Sequence, residues 1–222
     1  MSPGRTDPYA RVTVQPQRGF NKTEIKHLLT ALAVLTLAFA ISISGGIYNV
    51  FSATFPIYLI MAFLAVGTAF LFHELAHRKL ARKYGCFAEF RMWRWGLMMA
   101  LLFSFMGFVF AAPGVVVISG HITKKQNGKI GAVGPATNWL VGLIFVIGAF
   151  FSGIFGLGSL FFIFSFVAYV NLWIGGFNLL PLGPLDGRKI FGWSPKNYLI
   201  LVGLIVGTFV VGYIMGPFRF FF

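Results

Sequence analysis

The feature that most constrains this chain is a series of long apolar stretches, at about 28–43, 55–81, 95–119, 130–151, 157–180 and 198–215. A bilayer's hydrocarbon core is crossed by roughly 20 apolar residues in a helix that rises about 1.5 Å per residue. The remaining composition agrees: 58% of the residues are hydrophobic and 10% are charged, where a soluble domain carries about a quarter charged residues. A chain of 222 residues cannot hide that much apolar surface in a water-facing fold. The expectation is an all-α polytopic membrane protein with five or six transmembrane helices, surrounded by the lipid bilayer.

The net charge of +13 would suit a nucleic-acid binder if it were gathered on one face. Instead it lies in short runs between apolar stretches, as cytoplasmic loops require. Arg5, Arg11, Arg18, Lys22 and Lys26 precede the first stretch; Arg78 and Lys79 end the second, and Arg82, Lys83, Arg91 and Arg94 follow it. Lys124, Lys125 and Lys129 precede the fourth, and Arg188, Lys189 and Lys196 follow the fifth. The connections at 44–54 and 152–156 hold no Lys or Arg. This reading puts the chain in the cell membrane as a multi-pass protein with its N-terminus cytoplasmic, and predicts no nucleic-acid partner.

If 95–119 crossed the bilayer fully, a basic loop would lie outside. A re-entrant hairpin between the second span and the next keeps every basic loop inside. Pro113-Gly114 breaks this stretch, and Val115-Val116-Val117-Ile118 is β-branched and suits a strand. A sixth full span is the alternative. The domain expectation is a flexible basic tail at 1–27 and one transmembrane domain at 28–222, with its core at about 55–190. The single cysteine, Cys86, excludes an intrachain disulfide and a multi-cysteine metal site, and reads as a packing residue. The terminal Phe218-Arg219-Phe220-Phe221-Phe222 reads as an interfacial anchor.

The chain has only five acids, Asp7, Glu24, Glu74, Glu89 and Asp186. Glu74 lies within an apolar stretch, where an ionisable group is costly and points to function. It belongs to His73-Glu74-Leu75-Ala76-His77, an HExxH pattern. Residues i and i+4 share one helix face, so His73 and His77 can offer two imidazoles to one zinc ion per chain. Glu74, beside the first ligand, is placed to act as general base. The bland alternative is three polar groups paired with a neighbouring helix. A catalytic zinc needs a third protein ligand, and the candidates are Asp186 and His121. Asp186 follows Asn178-Leu179-Leu180-Pro181-Leu182-Gly183-Pro184-Leu185, whose prolines should break the helix and line a cavity.

Three motifs together resemble the site-2 proteases: HELAH in an apolar span, Gly134-Pro135-Ala136-Thr137-Asn138, and NLLPLGPLDG, across about residues 55–190. The resemblance implies an intramembrane zinc metalloendopeptidase that cuts transmembrane protein substrates near the cytoplasmic leaflet. It implies His73, His77 and Asp186 as metal ligands, Glu74 as catalytic base, and Asn178 near the zinc, steadying substrate or oxyanion. A plain helix-bracing hydrogen bond is the other reading of Asn178. The family's pattern also implies that GPxxN starts a helix, with Gly134 and Asn138 at close helix contacts. Its core uses a membrane-inserted β element to engage extended substrate, for which 95–119 is the candidate. No stretch here is long and polar enough for a PDZ or CBS module. A membrane zinc-binding or transport protein, or an inactive pseudoprotease, would share part of this pattern.

Overall fold

The computed structural model describes residues 19–109 and 112–219. The helices are α1 (Lys22–Ile43), α2 (Phe55–Val66), α3 (Phe72–Lys83), α4 (Arg94–Ser104), α5 (Lys124–Ile154), α6 (Gly158–Asn178), α7 (Asp186–Trp193) and α8 (Pro195–Ile214). Two strands, β1 (Phe87–Met92) and β2 (Gly114–Ser119), form the sheet. A π turn, Gly67–Leu71, joins α2 to α3. Among the described residues, the continuous rod Phe55–Lys83 joins α1, α5, α6 and α8 as five helices long and apolar enough to cross a membrane. The molecule is thus an all-α polytopic membrane fold with one small sheet.

Helix α1 starts at Lys22, ahead of the apolar stretch at about 28–43. Asn21 caps it by accepting from the Glu24 amide at 2.7 Å. Glu24 is fully buried. Its carboxylate accepts from Arg78 Nε at 2.6 Å and Nη2 at 3.0 Å, and from the Phe90 amide at 3.1 Å. Arg78 also donates to the Gly19 carbonyl and lies 3.7 Å over the Phe20 ring. Leaving one member of such a buried pair alone costs about 3–5 kcal/mol, so this polar knot holds the start of α1 against α3 and β1. Within the expected flexible tail, residues 19–27 are therefore tied down, and residues 1–18 lie outside the described residues.

The stretch 95–119 does not form a sixth span. Helix α4 has 11 residues, about half of a bilayer crossing at 1.5 Å per residue, and the chain comes back as β2. Glycine makes the closest approach possible here. A side chain at Gly96 would run into the Ala112 carbonyl, and one at Gly114 into Arg91. Strand β1 was not anticipated. It pairs antiparallel with β2, from Phe87 opposite Ser119 to Met92 opposite Gly114.

GPxxN does not start a helix. Pro135 sits inside α5, which begins at Thr123 with a capping box to Gln126. The expected interfacial anchor also differs at Phe218. It is fully buried against Val146, Ala168 and Leu172 and lies so close over Gly212 that a side chain there would meet its ring. Residues 220–222 of that anchor lie outside the described residues. Cys86 is buried and free, as a packing residue would be.

Candidate metal centre

His73 and His77 are one turn apart on α3, and both are buried. Their Nε2 atoms lie 2.9 Å apart. Asp186, the first residue of α7, points Oδ2 at both, 3.2 Å from His73 Nε2 and 2.9 Å from His77 Nε2. Among the described residues, these three form the only group of three or more His, Cys, Asp or Glu side chains close enough to share a metal ion, with all ligand atoms within 4.8 Å of one another. His121, the rival third ligand, is not in that group.

The hydrogen bonds decide which nitrogens are free. His73 Nδ1 is 2.5 Å from Asn138 Oδ1, and His77 Nδ1 is 2.6 Å from the Ile130 carbonyl. Both oxygens can only accept, so each Nδ1 carries the proton and each Nε2 presents a lone pair. Two lone pairs and a carboxylate oxygen pressed together in a buried pocket call for a shared cation. Zinc takes this donor set, and tetrahedral bonds of about 2.0–2.2 Å would separate its ligand atoms by roughly 3.3 Å. The observed separations are close to that, so the residues fit the metal.

Neighbouring elements shape the pocket. Gly128, Gly131 and Gly134 follow one another at three-residue steps along α5. A Cβ at Gly128 would strike Trp193, one at Gly131 would press on Lys189, and one at Gly134 would enter the rings of His73 and His77. Each glycine is therefore a notch for a specific side chain of α7 or α3. Gly187 lets Asp186 reach the histidines, because a side chain there would collide with the Leu179 carbonyl. Just before the HExxH turn, α5 engages a backbone carbonyl of the π turn, and α6 engages one of its side chains. Asn138 Nδ2 donates to the Ala69 carbonyl at 2.8 Å, and Asn171 Nδ2 donates to Thr68 Oγ1 at 2.9 Å. Asn138 thus does more than pack. It joins the His73 ring to the irregular turn that sets where α3 begins.

Burial alone would raise the Asp186 carboxyl. The Lys189 ammonium, 2.9 Å from Oδ1, opposes this and favours the charged form. The group therefore stays an anion, as a metal ligand must. Glu74 is half-buried and lines the same cavity of about 930 Å³ as His73, His77 and Asp186. Asn178 also lines it, and its amide donates to the Ile174 carbonyl at 3.0 Å, within its own helix.

A provisionally named zinc metalloprotease of Methanocaldococcus jannaschii is 39% identical over 201 residues, covering 88% of this chain and 95% of that protein. This chain belongs to the zinc metalloprotease family. A second zinc metalloprotease of the same organism is 28% identical over 134 residues, which are 60% of this chain and 34% of that protein. The provisional zinc metalloprotease Rip3 of Mycobacterium tuberculosis is 33% identical over 125 residues, 54% of this chain and 27% of that protein. No family model matches the chain, and no solved structure matches it. Zinc is the metal that both the family and the His73–His77–Asp186 cluster indicate.

One consequence is testable on the metal centre alone. Asn138→Ala removes the acceptor that fixes the His73 tautomer, so zinc affinity should fall by about 10–100-fold, the usual cost of losing an outer-shell partner. Competition against a chelator of known affinity measures it. Unchanged affinity would reduce Asn138 to a packing residue.

Proposed function

We propose that this zinc metalloprotease is an intramembrane protease of the site-2 type, cutting transmembrane protein substrates close to the cytoplasmic end of its spans. The observation that carries this reading is the position of the cluster. His73, Glu74 and His77 lie inside the apolar rod Phe55–Lys83. The cavity beside them is lined by apolar groups from α1, α2 and α6 as well as by the ligands. A soluble protease has no use for a catalytic turn buried in a membrane-length helix.

His73, His77 and Asp186 would hold the zinc, which when bound supplies Lewis acidity and a water that ionises near neutral pH. Glu74 is the group in the cavity able to take a proton from the nucleophile and return it to the leaving amine. Asn178 lies within the same cavity and can offer its amide to developing charge if it releases the Ile174 carbonyl. Water has a short route in, since His77 is about 9 Å along the helix from the basic end of α3 at Lys83.

A transmembrane substrate arrives as a helix, whose carbonyls are shielded by their own hydrogen bonds. It must become extended to be cut. Strand β2 offers a template. Among the described residues it has β1 on one side only, and Gly114, Val115, Val116 and Ile118 line the cavity beside His73, His77 and Asp186. An extended segment adding to that edge gains main-chain hydrogen bonds in exchange for those it gives up. The basic connections of α3, α5 and α7 support a cytoplasmic position for this end and for the N-terminus.

The test is to reconstitute the protein in vesicles with a single-span substrate and locate the cut by mass spectrometry. The expected cut lies within the substrate's apolar span, toward its cytoplasmic end, and a zinc chelator stops it. Cutting confined to water-exposed flanks would overturn the intramembrane assignment while leaving the metalloprotease intact.

A further inference from the structure

We infer that Lys189 is a positioning residue of the metal centre, holding Asp186 so that one carboxylate oxygen alone is turned toward the histidines. The inference rests on the metal-site reading above and adds a residue that lies outside the HExxH, GPxxN and NxxPxxxxDG signatures.

Three observations meet at this side chain. Lys189 Nζ donates to Asp186 Oδ1 at 2.9 Å, while the other oxygen, Oδ2, faces both imidazoles. Asp186 thus divides its two oxygens between a fixed ammonium and the metal cluster. Next, the lysine stem does not hang free. A Cβ at Gly131 would come within 3.1 Å of Lys189 Cβ and 3.4 Å of its Cδ, so the stem lies along the notch that Gly131 leaves in α5. Finally, Asp186 opens α7, directly after the irregular 179–185 connection. A ligand at such a junction has little regular structure behind it to fix its torsions. An i,i+3 partner one helical turn later supplies that restraint.

The chemistry follows from the division of oxygens. A carboxylate free to rotate can present both oxygens to a metal and occupy a second coordination position, whereas a catalytic zinc needs one position left open. With Oδ1 committed to Lys189, Asp186 has one oxygen to give. The cation also offsets the anion in a pocket where an unbalanced charge is expensive.

The experiment uses the purified full-length protein in detergent, as Lys189→Met and Lys189→Arg beside wild type and Asp186→Asn. Zinc affinity is read by chelator competition, and coordination by the visible absorption of the cobalt-substituted protein. Lys189→Met keeps the stem in the Gly131 notch and loses the ammonium. It should show weaker cobalt bands, as coordination number rises, and a zinc affinity shifted from that of wild type. Lys189→Arg should restore most of both. If Lys189→Met matches wild type in affinity and in cobalt spectrum, the inference is wrong. If wild type and Asp186→Asn bind zinc equally, the metal-site reading itself has failed, a different outcome. Circular dichroism of each variant confirms that helix content is retained. A Lys189→Met protein that keeps its helices, binds zinc weakly and is not rescued by arginine also overturns the inference, since the loss would then not come from the cation.

Discussion

Glu74→Gln should reduce cleavage of a reconstituted membrane substrate by about 10²–10⁴-fold, the span general acid–base catalysis usually contributes, with zinc content unchanged. The two halves of this expectation come from different parts of the helix. His73 and His77 face α5, where the Asn138 side chain and the Ile130 carbonyl hold their Nδ1 atoms. Glu74 is one residue further round, about 100° away at 3.6 residues per turn, and is not among the three clustered ligand residues. It faces the cavity instead. Glutamine keeps the size and shape of the side chain and cannot accept the proton. Zinc per chain and the rate of product formation are measured on the same preparation. A glutamine variant that cleaves like wild type would remove Glu74 as the base. One that also loses zinc would show the residue supporting the metal rather than moving a proton.

The second large effect is expected at the far end of the chain. Asp186→Asn should weaken zinc binding by more than the roughly 10–100-fold typical of an outer-shell change, and cleavage should fall with it. Asparagine retains an oxygen but not the charge. The pocket then presents two neutral imidazoles and a neutral amide to a divalent cation. Lys189 also loses the anion it faces at 2.9 Å, so a positive group is left beside the metal. Chelator competition reads the affinity directly. Unchanged affinity would move the third ligand elsewhere and leave the short contacts between Asp186 and the histidines as a simple ion-pair cluster.

The spans and the His73–His77–Asp186 cluster were legible in the sequence for a physical reason. Apolar length and charge placement are one-dimensional signals, and an i,i+4 histidine pair declares its own geometry. The NLLPLGPLDG segment likewise announced an irregular, cavity-lining connection through its prolines. Strand β1 was hidden because Phe87–Met92 carries Glu89 and Arg91 in a basic loop and gains its partner only when 114–119 returns. Glu24 looked like a tail residue, and its burial depends on Arg78, far away in sequence. The supports of the metal ligands were the least visible part. Ile130 acts through its carbonyl, which no side-chain pattern records. Asn138 and Lys189 matter only because α5 and α7 pack against α3. The glycines at 128, 131 and 134 were the available signal, a regular run of small residues on one face of α5. Their meaning needed the four side chains that fill them, Trp193, Lys189, His73 and His77.

Because the ligand set is the claim on which the protease reading stands, X-ray absorption at the zinc edge of the purified protein tests it most directly. The account predicts one zinc per chain with a first shell of nitrogen and oxygen only, at about 2.0–2.2 Å, showing the outer-ring scattering of two imidazoles and losing part of that shell in Asp186→Asn. A shell containing sulfur at about 2.3 Å, or one with a single imidazole, would contradict it.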